Sequence, residues 1–209
     1  MTDIRYRPMA PTDFDAMAAL VGEVWYDAPD ARTAQLMGAV DLATCLRRTT
    51  YSQVALVDGE LAGFILARVG LPGPQVDAEW ARAADDAARE LRACDPAAAE
   101  SQLAYLQEVD DINARLLAEG GVEGRCEVVL FLLASAARGL GVGRALFDGA
   151  EGALAQRGAR EVFLFTDDSC TWGFYEHRGM RRAAEFHPGG DAPGGLLGGY
   201  YLYVDEVDG

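Results

Sequence analysis

The succession of strand-like and helix-like segments in this chain predicts an α/β (α+β) fold: one twisted, mostly antiparallel mixed sheet flanked by helices. Three observations carry that expectation. Asp58-Gly59 separates two β-rich runs, a strong signal for a tight hairpin. The nearly continuous apolar run from Cys126 to Leu133 has the character of a strand buried on both faces, and a glycine-rich turn after it opens a helix. Between these features, from about residue 75 to 121, the chain turns rich in alanine and acid, with helical periodicity and no β-branched run. The 209 residues suffice for a sizeable core without disulfides or metal, and one domain spanning 1–209 with a helical insertion at about 75–121 is expected.

Ile4-Arg5-Tyr6-Arg7-Pro8-Met9 alternates as a short strand. Pro11-Thr12-Asp13 then opens a helix, with Thr12 able to cap it and Phe14, Met17, Leu20, Val21 and Val24 at helical spacing. A second helix is expected over about 33–48. Gln53 to Val57 and Leu61 to Ala67 form the hairpin, and Leu71-Pro72-Gly73-Pro74 breaks the pattern. In the insertion, Trp80, Ala84, Ala87 and Leu91 share one helical face and Tyr105, Val109, Ile112 and Leu116 another, with Asp95-Pro96 between the two helices. Asp85, Asp86, Glu90, Glu108, Asp110 and Asp111 fall on the opposite faces. After Leu133 a helix ends near Gly158, a strand runs from Glu161 to Thr166, and a short helix follows from about Trp172 to Arg178. Two last strands, near 180–186 and 200–204, flank a loop rich in glycine and proline.

Charge narrows the function. Against 33 acidic residues stand 18 basic ones, all arginine, for a net charge of −15. A field this negative disfavours nucleic-acid binding, and a Walker-type phosphate loop has no lysine to use. The longest apolar run, Val128 to Ala137, is too short to span a bilayer, so no membrane association is expected. Met1-Thr2-Asp3-Ile4-Arg5 lacks a signal-peptide pattern, and Cys45, Cys94, Cys126 and Cys170 lie far apart. A cytoplasmic compartment is expected.

The chemistry concentrates in Arg138-Gly139-Leu140-Gly141-Val142-Gly143-Arg144, after the buried strand and before a helix. Closely spaced glycines let backbone N–H groups turn toward an anion, the helix N-terminus adds partial positive charge, and Arg138 and Arg144 can reach phosphate oxygens. Taken alone the turn is equally compatible with a tight strand-to-helix connection, and Leu146 stands where the dinucleotide fingerprint needs its last glycine. The pattern Arg-x-x-Gly-x-Gly at Arg138, Gly141 and Gly143 resembles the acyl-CoA pyrophosphate loop of the GNAT family of N-acetyltransferases. Downstream, Phe174-Tyr175-Glu176-His177-Arg178-Gly179-Met180 is similar to that family's Phe-Tyr-x-x-x-Gly-Phe signature. Upstream, Glu127 begins the preceding strand, where several family members carry a general base. The resemblance covers about 4–69 and 126–204 and leaves the helical insertion outside the common pattern.

The resemblance implies transfer of an acetyl group from acetyl-CoA, as co-substrate, to a small primary amine by direct attack in a ternary complex, without a metal. A non-catalytic acyl-CoA-binding or sensing module is the alternative. The implied general base is Glu127, and the implied general acid is Tyr175. Backbone N–H groups of Phe131, Leu132 and Leu133 are expected to hold the oxyanion, and Arg138, Gly139, Leu140, Gly141, Val142, Gly143 and Arg144 the pyrophosphate. Asp168 stands where many members place an asparagine on the pantetheine arm, and an ionised aspartate donates no hydrogen bond. Thr171 or Ser169 can replace that contact.

Plainer readings remain open at each position. Glu127 can be a solvent-facing strand-edge carboxylate, Tyr175 a core aromatic with a tied hydroxyl, and Asp167-Asp168-Ser169 a helix cap. Cys170 reads as a packed thiol. Trp25, Tyr26 and Trp80 either border an acceptor groove or simply pack. His177 and His187 make a poor metal site. The acidic insertion is a solvated face, a lid favouring a cationic acceptor such as a polyamine or aminoglycoside, or a surface that pairs two copies as a homodimer.

Overall fold

The computed structural model describes residues 2–188 and 198–207. The middle of the glycine- and proline-rich loop, 189–197, lies outside the described residues. The strands are β1 (Ile4–Arg7), β2 (Tyr51–Val57), β3 (Glu60–Val69), β4 (Cys126–Leu133), β5 (Glu161–Asp167), β6 (Arg181–Phe186) and β7 (Tyr200–Glu206). The helices are α1 (Phe14–Trp25), α2 (Ala31–Leu46), α3 (Pro74–Cys94), α4 (Pro96–Gly120), α5 (Val142–Ala155) and α6 (Gly173–Arg178). The strands form one seven-stranded sheet in the order β1-β2-β3-β4-β5-β7-β6. Every neighbouring pair is antiparallel except β4 and β5.

Asp58 and Gly59 both adopt positive φ, the backbone that matches a two-residue turn to the twist of its strands, so β2 and β3 close as the Asp-Gly pair predicts. One sheet face is covered by α5, whose Leu146, Phe147 and Leu154 pack on Ile65, Val128, Val162 and Leu164. On the other face α1 and α2 lay Met17, Val21 and Leu42 against Phe64, Leu66 and Leu130. Helix α4 covers the far half of that face through Ile112 and Leu116, packed on Phe163, Leu202 and Val204. Leu91 of α3 joins Leu36 of α2 and Ala99 of α4 in a small separate cluster. Helices α3 and α4 therefore lie on the same side of the sheet, α3 packed on α2 and α4 on β7 and β6.

Two local features position the site. Helices α1 and α2 cross at Gly22 and Gly38: a Cβ on Gly38 would stand 2.1 Å from the Ala18 carbonyl oxygen, so only glycine permits this approach. In β4 the pairing steps from Leu66↔Leu130 to Ala67↔Val128, leaving Val129 as a bulged residue. The bulge shifts the alternation, so Val129 and Leu130 both face the same side. An uninterrupted apolar run carries no mark of that shift.

Candidate active site

Strands β4 and β5 pair in parallel at Glu127 and Phe163 and diverge beyond that point. A cavity of about 400 Å³ opens at the divergence. Its floor comes from Glu127, Val129 and Leu130 of β4 and Phe165, Thr166 and Asp167 of β5. Helices α1 and α2 supply Trp25, Tyr26, Asp41, Cys45 and Arg48, and α4 roofs it with Ser101, Gln102, Tyr105, Leu106, Val109 and Asn113. Gln102 is buried and donates to the Met37 carbonyl at 2.7 Å, which ties the roof to α2. The roof is uncharged. Asp85, Asp86, Glu90, Asp110 and Asp111 are exposed and Glu108 is half-buried; none of the six lines the cavity, although Asp110 lies close enough for its charge to act on Asp41.

Glu127 is 2% exposed, so it is not a solvent-facing edge carboxylate. Arg68, directly opposite it in the β3–β4 register, donates Nε to Oε2 at 2.7 Å, and a guanidinium nitrogen of Arg48 lies 3.4 Å from Oε1. Both oxygens are thus engaged by cations. Asp41 differs: its partners are the Tyr26 hydroxyl, donating at 3.0 Å, and the Cys45 thiol at 3.8 Å. Burial pushes the Asp41 acid above its ordinary range, against the pull of those two groups and of Arg48.

Tyr175 lies beside the cavity rather than on its wall, among Phe147, Phe174 and Tyr203. Its hydroxyl has no hydrogen-bond partner among the described residues, and burial pushes the phenol well above the usual tyrosine range. Cys170 is half-buried on the cavity wall, and burial also raises its thiol. Of the expected oxyanion segment, Phe131 and Leu133 pack toward α5 while Leu132 packs toward α1 and α2. The β4 residues that line the cavity beside Glu127 are Val129 and Leu130.

Beyond β4, a one-turn helix from Ser135 to Ala137 leads into the glycine loop. Gly139 and Gly141 take positive φ, and a Cβ at either would meet nothing within 4 Å. Gly143 packs closely on β4, where a Cβ would lie 2.8 Å from Leu133 Cδ1, the end of a side chain that can shift. No side chain caps α5 at Gly141, and the N–H groups of Val142, Gly143 and Arg144 have no hydrogen-bond partner among the described residues, beside the exposed Arg138 and Arg144. Free N–H groups at a fourteen-residue helix and two unpaired guanidiniums, among the described residues, fit a pyrophosphate. Leu140 is exposed at the loop tip, and Val142 is buried under it.

Asp168 has both oxygens occupied: Oδ1 accepts from the Tyr201 hydroxyl and Oδ2 from Gly199 N–H, each at 2.6 Å. These bonds hold its carboxyl below the usual range and lift the Tyr201 phenol to about 12. Thr171 is exposed, and its carbonyl accepts from Phe174 N–H at the start of α6. Trp25 and Tyr26 line the cavity, whereas Trp80 stacks on Phe14 outside it. His177 is exposed and bonds its own helix at the Gly173 carbonyl, and His187 packs edge-on to Tyr201. Among the described residues no group of three or more His, Cys, Asp or Glu is placed to hold a metal, and no helix is long and apolar enough to cross a membrane.

Sequence reasoning missed Asp41, Arg48, Arg68 and Tyr105. Asp41, Cys45 and Arg48 recur at helical spacing on one flank of α2, beside the buried Leu42 and Leu46. That interruption of an apolar face was the available signal.

The acetyltransferase (GNAT) family profile matches residues 15–180. Solved structures of similar fold include the ribosomal-protein-S18-alanine N-acetyltransferase from Escherichia coli, 13% identical, with a TM-score of 0.54 over 100% of this chain and 96% of that one. Ard1 from Thermoplasma volcanium is 14% identical, with a TM-score of 0.56 over 99% of each chain. An N-acetyltransferase from Staphylococcus aureus Mu50 is 12% identical, with a TM-score of 0.55 over 99% of each. No curated protein sequence matches the chain. Profile, sheet order and the placement of the glycine loop agree: this chain belongs to the GNAT acetyltransferase family.

Proposed function

We propose that the protein is an acyl-CoA-dependent N-acetyltransferase that moves an acetyl group from acetyl-CoA to a small primary amine by direct attack. The observation that carries this reading is the cavity at the divergence of β4 and β5. On one side it meets the edge of the glycine loop's supporting strand, and on the other it is walled by α1, α2 and α4. Acetyl-CoA, when bound, supplies an activated acyl carbon on a thioester. Arg138, Arg144 and the backbone of Gly139 to Gly143 are the groups that would hold its pyrophosphate. Main-chain N–H groups released where β4 leaves β5 are suited to a developing oxyanion, the site expected from Phe131 to Leu133.

Two proton transfers are needed. The acceptor ammonium must lose a proton to a cavity carboxylate, for which Glu127 and Asp41 are the candidates. The departing thiolate must gain one, and Tyr175 carries a phenol that burial keeps protonated. Asp168 and Thr171 sit at the turn beside the proposed pantetheine channel, Asp168 bracing it through Tyr201 and Gly199.

Purified protein is expected to release free thiol from acetyl-CoA when given a panel of primary amines. Tyr175→Phe should lower kcat by about 10²-fold, the usual range for a lost general acid, with little change in KM for acetyl-CoA. In the wild type, activity should persist into alkaline pH and fall only where the raised Tyr175 phenol ionises, above the usual tyrosine range. Binding of acetyl-CoA without thiol release across the panel would instead identify a sensing module.

A further inference from the structure

Asp41 and Asp167 are the cavity carboxylates with no cation on them among the described residues, and Asp41 is the one walled by rings and helices. Tyr26 donates to Oδ2 at 3.0 Å and Cys45 lies 3.8 Å from Oδ1, both neutral partners, whereas each oxygen of Glu127 meets a guanidinium. The local charges leave room for one more cation. Asp41, Glu127 and Asp167 line the cavity with Arg48, and Arg68 meets Glu127 from behind, so three carboxylates face two guanidiniums. Asp167 commits Oδ1 to the N–H and hydroxyl of Ser169 in its own turn. Trp25, Tyr26, Tyr105 and Phe165 supply ring faces that suit an ammonium on an apolar body. Two buried polar atoms of the same wall, Arg48 Nε and Thr166 Oγ1, have no hydrogen-bond partner among the described residues.

We propose that Asp41 binds the ammonium of the acceptor and takes the proton it must lose, while Glu127 holds Arg48 and Arg68 in place. This rests on the acetyl-transfer reading above and specifies the acceptor as a primary amine bearing one ammonium on an apolar body. The proton passes from nitrogen to an Asp41 oxygen. The freed lone pair forms the C–N bond to the acetyl carbon as the C–S bond breaks, and the thiolate receives the Tyr175 proton. The second proton of the attacking nitrogen passes through solvent to restore the Tyr175 phenol, and Asp41 returns its own proton to solvent. The groups facing Asp41 are Tyr26 from α1, Cys45 and Arg48 from its own helix, and Tyr105 and Asp110 from α4. Burial, with the like charge of Asp110 added to it, outweighs the pull of Tyr26, Cys45 and Arg48 and leaves a stronger base than a solvated aspartate.

Calorimetry at about pH 7 with 2-phenylethylamine and with spermidine tests the assignment on the full chain. The wild type is expected to bind 2-phenylethylamine in preference to spermidine. Asp41→Asn should lose about 30-fold in affinity, the loss of one charge-assisted hydrogen bond, and the exposed Asp85→Asn should lose none. In the wild type alone, affinity should rise with pH as Asp41 ionises, above the usual carboxylate range. Asp41→Asn should also raise Tm at neutral pH. A folded-state pKa above the unfolded one means the charged form costs stability there, and the gain should shrink as pH falls through the Asp41 pKa. A purely structural aspartate would lower Tm instead. Unaltered affinity in Asp41→Asn, a wild-type affinity flat across about pH 4 to 7, or no binding of either amine overturns the proposal. Amine binding through Asp41 without thiol release from acetyl-CoA would overturn the acetyl-transfer reading and leave the ammonium site standing.

Discussion

Glu127 and Asp41 differ by their neighbours rather than by their chemistry. Glu127 lies opposite Arg68 across β3 and β4 and also meets Arg48, so removing its charge leaves two guanidiniums facing each other. Arg68 is only 13% exposed and cannot recover full hydration, while Arg48 at 37% partly can. Glu127→Gln is therefore expected to cost about 2 kcal/mol of stability, below the range for a fully buried pair. A urea midpoint that drops with unchanged m would register it. Glu127 was legible in the sequence by its place before the glycine loop. Its pairing was not, because Arg68 and Arg48 lie far from it along the chain. Asp41 was passed over because a lone acid in a helix of alanine and leucine reads as an ordinary exposed residue until the opposing wall is known.

At the scale of elements, the hairpin and the glycine loop were legible because their residues encode their own backbone. Asp58-Gly59 and the positive-φ pair Gly139 and Gly141 adopt conformations that other residues resist. The helix–helix crossing at Gly22 and Gly38 was not legible, since nothing local distinguishes a contact glycine from a helix-weakening one. Gly38→Ala improves helix propensity yet drives a methyl into the Ala18 carbonyl. Overpacking at this crossing should destabilise by about 3 kcal/mol, lowering Tm by roughly 10 °C in a thermal melt. The acidic insertion was read correctly as two helices, Pro74–Cys94 and Pro96–Gly120, but not as an uncharged roof. Its acids mark the solvated face, and the cleft-facing residues of α4 are neutral because that face packs on protein.

For the whole molecule, the net charge of −15 acts at long range. It should draw a cationic acceptor toward the surface, so kcat/KM for a monocationic amine is expected to fall several-fold as ionic strength rises from about 0.02 to 0.3 M. A plot of kcat/KM against salt checks this, and an unchanged value would exclude steering. The absence of lysine leaves no lysine side chain for the protein to acetylate on itself. Sequence alone determined the order of strands and helices, the turn chemistry and the family, because each depends on residues adjacent in the chain. Tertiary structure alone decided which carboxylates meet guanidiniums, which helix face closes the cleft and where β4 bulges. Those depend on charges and surfaces from α1, α2, α4, β4 and β5 meeting in space, and the desolvation that distinguishes Asp41 from its exposed counterparts exists only once they have met.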